Sequence, residues 1–166
     1  MPSPVPAHAD VVTERLALRC WAGSEATAVL DDARSAEWAD DFPAEGDRVI
    51  AGLLGSRPEW LGAYGHRLII ERESGLVVGS LGLFWPPSEG AVEIGYGVVE
   101  SRRGRGYASE ATLALAEFAL AAPEVRTVFG NVEPANPGSV RVLEKAGFQR
   151  AGAEGDTVRY VLTKGS

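Results

Sequence analysis

Three arginines and two glycines sit together in Arg102-Arg103-Gly104-Arg105-Gly106, and this short loop carries the plainest chemistry in the chain. It follows the apolar run Val92-Glu93-Ile94-Gly95-Tyr96-Gly97-Val98 and leads into a stretch rich in Ala and Leu. A strand that turns through glycines into a helix makes an anion site. The first N–H groups of a helix have no partner inside it, and the helix dipole is positive at that end. Gly104 and Gly106 permit φ > 0 and let a ligand approach bare backbone. Ser109 and Glu110 follow in what would be the first helical turn, where polar and acidic residues are favoured. Basic runs are often solvated surface, but glycines interleaved among the arginines at a strand-to-helix join favour phosphate. The loop is not a dinucleotide fingerprint, because Ser109 stands where a third glycine is needed. It is not a Walker loop either, because no Gly-Lys-Ser/Thr follows.

The elements that must position this loop are legible on both sides of it. Residues 13–21 alternate, with Leu16, Leu18 and Cys20 on one face, and predict a first strand. Gly23-Ser24 offers a turn and an N-cap for a short helix through Ala26, Val29 and Leu30. Residues 31–43 are acidic and irregular, with Trp38 and Phe42 as apolar anchors. Asp47 is the expected cap of a second helix through Val49, Ile50, Leu53 and Leu54. Residues 66–72 and 76–84 predict a hairpin across Glu73-Ser74-Gly75, with Gly79 and Gly82 marking a bulge or a close backbone approach. Residues 91–99 are the central strand. Ala108, Ala111, Thr112, Leu115, Phe118 and Ala119 recur at helical spacing, and Pro123 closes that helix. Residues 125–132 form a strand. Asn136-Pro137 starts a helix, with Asn at the N-cap and Pro at the first position, and Gly147 ends it. Two strands follow. Strands at 91–99 and 125–132 are joined through a helix and should run parallel in a mixed α/β sheet.

Composition narrows the function classes. The chain has 166 residues, suited to one domain with a full core. Its net charge of −7 and pI of about 4.9 argue against a general nucleic-acid binder. The longest apolar stretch, residues 113–122, is short and broken by Glu117, so no membrane span is expected. Cys20 is the single cysteine, which excludes an intrachain disulfide and fits a reducing, cytoplasmic setting. His8 and His66 are far apart and no metal cluster is visible. The Pro-rich start lacks the character of a signal peptide and reads as a flexible tail over residues 1–10, ahead of a single domain at 11–166.

Arg103-Gly104-Arg105-Gly106-Tyr107-Ala108 resembles the Arg/Gln-x-x-Gly-x-Gly/Ala signature of the GCN5-related N-acetyltransferases (GNAT), whose loop amides hold the pyrophosphate of acetyl-CoA. Residues 131–148 contain Asn136-Pro137-Gly138-Ser139 and Leu143-Glu144-Lys145-Ala146-Gly147-Phe148. They are similar to a segment of the branch that contains the ribosomal-protein N-terminal acetyltransferases, as is the start Thr13-Glu14-Arg15-Leu16. The resemblance runs over about residues 11–163 and is densest at 93–148. It implies an α/β (α+β) fold with a mixed, mostly antiparallel central sheet and helices on both faces. It also implies an acetyl-CoA cleft between two splayed parallel strands.

The reaction implied is acetyl transfer from acetyl-CoA to a primary amine of a protein N-terminus or a small molecule, without a covalent enzyme intermediate or a metal. The resemblance places Val98, Arg103, Gly104, Arg105, Gly106, Tyr107, Ala108, Asn136 and Ser139 at the cofactor. A lysine-like amine has a pKa of about 10.4 and must lose a proton before it attacks, so a base is needed on the acceptor side. A donor is needed at the departing sulfur. Glu93 is the candidate base: its side chain points away from those of Val92 and Ile94, toward what the resemblance implies is the acceptor face. Ser139, near the start of its helix, is the candidate donor. Both residues also fit bland readings, as an exposed strand carboxylate and a helix-start serine. Trp38, Phe42, Trp60 and Tyr64 are candidate acceptor contacts, or else simply pack the helices that roof that site. A non-catalytic acyl-CoA-binding module is the alternative function. Many members of the family pair as homodimers, and no residue of this sequence decides that.

Overall fold

The computed structural model describes residues 9–164. The elements in chain order are β1 (Val11–Val12), β2 (Leu16–Cys20), α1 (Gly23–Leu30), α2 (Glu45–Ser56), β3 (His66–Glu71), β4 (Val77–Leu83) and β5 (Ala91–Val98). They continue with α3 (Tyr107–Leu120), β6 (Thr127–Val132), α4 (Pro137–Lys145), β7 (Gln149–Glu154) and β8 (Thr157–Thr163). The strands form one sheet in the order β1-β2-β3-β4-β5-β6-β8-β7. Each pairing is antiparallel except β5 with β6, which are joined through α3. No described helix is long and apolar enough to cross a membrane. The expected tail at residues 1–10 lies outside the described residues up to residue 8. Ala9 is exposed, and its carbonyl accepts from Arg67 Nη1 at 3.0 Å.

Three sequence expectations need correction. Gly23-Ser24 does not cap α1: the helix starts at Gly23, with Ala22 at its N-cap. The strand over 13–21 is broken by a turn: Thr13 N donates to Leu16 O at 2.8 Å and Leu16 N to Thr13 Oγ1 at 3.0 Å. That turn folds β1 back on β2, pairing Val11 with Leu18. Asp47 does not cap α2 from outside. The helix starts two residues earlier, and Asp47 is its third residue, with Oδ2 reaching back to accept from Ala44 N at 2.8 Å. Its Oδ1 accepts from Ser80 Oγ on β4 and pins α2 to the sheet.

The helices occupy both faces. Ser80 and Leu81 are neighbours on β4 and point to opposite sides, so the Asp47–Ser80 bond places α2 on the Ser80 face, with α1 packed against it. On the other face Arg67 of β3 lies over the ring of Phe118 of α3 at 5.1 Å. Ser109 of α3 donates to Val142 O of α4 at 3.2 Å. Leu143 of α4 fills the space at Gly130 of β6, 3.2 Å from where a Cβ would stand. Leu16, Leu18, Ile69, Leu81, Leu83, Leu115, Val128 and Leu143 are buried between these layers, each stabilising the fold by about 1.5–3 kcal/mol relative to exposure. The expected close approach on β4 is present: a Cβ on Gly79 would stand 2.2 Å from Gly97 O.

The sheet is parted at one place. β5 and β6 pair only at Ala91–Thr127, Val92–Val128 and Glu93–Phe129. Beyond Glu93, β5 stays paired with β4 as far as Val98–Gly79 while β6 diverges. Glu93 O accepts from Phe84 N and Val99 N donates to Val78 O, both at 2.9 Å. Odd-numbered peptide groups of β5 therefore face β4, and the N–H groups of Tyr96 and Val98 turn toward the gap.

The loop after β5 is held from beneath by Glu71, at the end of β3. Its side chain is 4% exposed. It accepts from Ser74 Oγ at 2.6 Å, Tyr107 Oη at 2.7 Å, Arg102 Nε at 3.2 Å and Arg105 Nη1 at 3.4 Å. Burial by itself raises the Glu71 pKa. The bonds from Ser74, Tyr107 and Arg102 outweigh it, so the carboxyl titrates below its ordinary range. The unfolded chain then binds the proton more readily than the folded one. The contribution is complete above the unfolded pKa of about 4.3 and is lost as pH falls through the lower folded value. Glu71→Gln is expected to cost about 1–3 kcal/mol at neutral pH. The gap between wild type and variant should narrow in urea melts repeated at about pH 3.5.

Candidate active site

Where β5 leaves β6, a cleft of about 550 Å³ opens against α3 and α4. One wall is Tyr96, Gly97 and Val98. Another is the loop and first turn, Arg102 to Gly104 and Gly106 to Ser109. The third is Asn136, Gly138, Ser139, Arg141, Val142 and Lys145. Gly104 and Gly106 have φ of +79° and +81°, the left-handed turns their spacing called for. Gly106 is the N-cap, and the first helical bond of α3 is Glu110 N to Gly106 O. The N–H groups of Tyr107, Ala108 and Ser109 are therefore the unpaired donors of that helix end. Val98, Arg103, Gly104, Gly106, Tyr107, Ala108, Asn136 and Ser139, all of them candidate cofactor residues, thus line one cleft.

Arg105 does not join them. It lies between the two left-handed glycines with its side chain on the far side, toward Glu71, and its carbonyl accepts from Arg15 Nη1 at 2.7 Å. Tyr107 offers backbone to the cleft while its hydroxyl is tied to Glu71. Burial, and then the bond to that carboxylate, raise its pKa. Arg103 Nε donates to Val98 O at 3.1 Å, which ties the loop to the free edge of β5. Arg102, Arg141 and Lys145 complete the cationic wall. The two on α4 were readable in principle, because Gly138, Arg141, Val142 and Lys145 follow helical spacing on one face.

Ser139 sits across the cleft from Tyr96. Asn136 caps α4 by accepting from Ser139 N at 3.2 Å, with Pro137 at the first helical position. The Ser139 hydroxyl is 2.7 Å from Tyr96 Oη, which also donates to Ser139 O at 3.1 Å. Burial raises the Tyr96 pKa, tempered by the Ser139 bond. The phenol therefore keeps its proton at neutral pH and is a donor there.

A second cleft of about 320 Å³ lies on the α2 side of β5. Ala44, Gly46, Asp47 and Ile50 form its roof, and His66, Ser80, Phe84 and Gly95 its floor and sides. It shares Tyr96, Gly97, Val98 and Arg103 with the first cleft, so the two meet across one strand. Glu93 lines neither. It stands one turn of the pleat too early, in register with Phe129, where burial raises its pKa against the opposing charge of Arg159.

The four aromatic candidates also lie outside both linings. Trp38 packs edge-on against Phe42, Trp60 Nε1 donates to Trp85 O at 2.9 Å, and Tyr64 stacks between Trp85 and Phe118. Among the described residues no group of three or more His, Cys, Asp or Glu is placed to hold a metal ion.

Comparison with known proteins bears on this geometry. Residues 10–149 match the sequence profile of the Acetyltransferase (GNAT) domain. The uncharacterized N-acetyltransferase YjdG of Bacillus subtilis (strain 168) is 35% identical over 82 residues, 49% of this chain and 49% of that protein. The chain matches about half the length of the first curated relatives. An acetyltransferase (GNAT family) from Bacillus anthracis superposes with a TM-score of 0.68 at 21% identity, covering 93% of this chain and 98% of that one. RimJ of Mycobacterium smegmatis, solved with CoA-disulfide, superposes with a TM-score of 0.64 at 20% identity, covering 90% and 82%. The structural likeness carries the fold. The profile, which spans both clefts from ahead of β1 to the first residue of β7, carries the family: this chain belongs to the GNAT acetyltransferases.

Proposed function

We propose that residues 11–166 act as one acetyl-CoA-dependent N-acetyltransferase unit, passing the acetyl group directly to a primary amine of a protein N-terminus or small molecule. One observation carries this reading. A cleft with a helix N-terminus and four cationic side chains on its walls meets a second cleft, bearing a buried carboxylate, across the unpaired edge of β5. The first suits a diphosphate and a long polar arm. The loop and α3 amides take the diphosphate, with Arg102, Arg103, Arg141 and Lys145 around it. The pantetheine arm lies along β5, with Val98 and Asn136 as its polar partners. A free N–H of Tyr96 or Val98 meets the oxygen as it becomes anionic. The Tyr96–Ser139 pair supplies the proton to the leaving sulfur. An acidic protein favours the approach of cationic amines to the second cleft. We assign the reaction to the cytoplasm, where a lone Cys20 persists as a thiol.

The test is thiol release from acetyl-CoA over peptides, amino acids, polyamines and aminoglycosides. Gly106→Glu fills and charges the anion site, so it should raise the KM for acetyl-CoA more than about tenfold, since the loss of one charge-assisted bond, about 1.5–3 kcal/mol, corresponds to about 12- to 160-fold. Its circular dichroism is checked because of the left-handed φ. Ser139→Ala combined with Tyr96→Phe should lower kcat about a hundredfold at unchanged CoA affinity. CoA binding with no thiol release on any amine would select the non-catalytic module. Full activity of Gly106→Glu would remove the cofactor site from this cleft.

A further inference from the structure

The second cleft holds two buried polar side chains that the coenzyme site leaves unused. Asp47 is 4% exposed. Its carboxylate takes bonds from Ala44 N and Ser80 Oγ, and no ion pair to it forms among the described residues. The cation lining the same cleft, Arg103, is held on Val98 O toward the coenzyme side. His66 is 1% exposed, clasped between Trp60 and Phe84 at ring separations of 5.2 and 5.1 Å. Its Nε2 is buried without a hydrogen-bond partner among the described residues. Burial lowers its pKa to about 4, so the ring is neutral near pH 7 and brings no competing charge. A buried carboxylate with no cation beside it is costly. The cost is relieved if the cation arrives with the substrate.

Register places that carboxylate beside the middle of β5. Ser80 is directly opposite Gly97, and the Asp47 carboxylate is bonded to Ser80. Nothing stands within 4 Å of where a Cβ on Gly97 would be, so the space above the strand is open. Gly97 lies between Tyr96 and Val98, whose N–H groups face the coenzyme cleft.

Building on the acetyltransferase reading above, we propose that Asp47 is the counter-ion for a single primary ammonium group in this cleft and the base that takes its proton. The substrate enters as R–NH3⁺ and gives one proton to the carboxylate, leaving R–NH2 and a neutral Asp47. The nitrogen lone pair forms the C–N bond to the thioester carbon while the carbonyl π pair moves onto oxygen. Collapse restores C=O and breaks C–S, the bonding pair leaving on sulfur. Sulfur takes a proton from the Tyr96–Ser139 pair, and the proton surplus on nitrogen refills that pair. The products are the N-acetyl amide, CoA thiol and the proton that Asp47 returns to solvent. Burial raises the Asp47 pKa against the bonds from Ser80 and Ala44, which makes it a stronger base than an ordinary aspartate. A single carboxylate beside Ile50 and Phe84 suits one alkylammonium head, with any further charge of the substrate left outside.

Binding separates this from the acetyltransferase reading. With CoA saturating, n-butylammonium should bind wild type at least about tenfold more tightly than its neutral isostere n-butanol, read by NMR titration. Asp47→Asn should erase that preference without changing CoA affinity. It should also lower kcat about a hundredfold with whichever amine releases thiol best. No preference in wild type, or a preference retained in Asp47→Asn, overturns the assignment. Should Asp47→Asn fail to fold, Ile50→Trp fills the cleft from the roof, and retained ammonium preference there overturns it equally. If wild type releases thiol and Asp47→Asn keeps its kcat, the base assignment alone falls. If wild type binds no CoA, the acetyltransferase reading falls first.

Discussion

Past Glu93, β5 keeps its hydrogen bonds to β4 and gives up those to β6, and the site is built on that one-sided pairing. An interior strand of a sheet has both edges satisfied. Here one edge is held rigidly while the other presents N–H groups to a gap that the ends of α3 and α4 enclose. Unpaired backbone groups cost free energy when shut away from water, so such an edge persists where water or a ligand can reach it. The strand can afford the loss because its other edge is locked to β4, where the glycine at position 79 lets Gly97 O approach closely.

The alternation of a strand gives the same few residues two sides. Tyr96 meets Ser139 on the α4 side, while the space above Gly97 opens to Asp47 on the α2 side. Strand geometry thus sets a donor and a carboxylate on opposite sides of a backbone that offers N–H groups between them. Two short tethers keep the arrangement in place: Asp47 ties α2 to Ser80, and Glu71 ties the arginine loop to the end of β3.

Charge is distributed against the grain of the whole. The chain is strongly acidic, yet Arg102, Arg103, Arg141 and Lys145 gather around one cleft. Glu71 neutralises part of that cluster from beneath, and Arg105 is spent on this contact. Arg105, one of the residues that the motif resemblance placed at the cofactor, turns its side chain to this tie instead. The arginines and lysine facing the gap come from separate elements.

Local chemistry was enough to read much of this from the sequence. The glycine spacing forced left-handed turns at Gly104 and Gly106, Asn136-Pro137 forced a helix start, and the period-2 and period-3.6 patterns separated strands from helices. A helix between β5 and β6 gave the long connection that a parallel pair needs. What local pattern could not supply was the far side of each side chain. Asp47 reads as a cap whether or not it also reaches Ser80, 33 positions away. Glu71 reads as an ordinary strand end until the loop folds over it, and Glu93 and Asp47 are both plain carboxylates until the fold puts one beside Phe129 and bonds the other to Ser80, the partner of Gly97. Sequence determined the turns and periods because those depend on neighbours within a few residues. Only the tertiary structure decided which carboxylate lines the cleft on the α2 side of β5, because that depends on pairings between segments far apart in the chain.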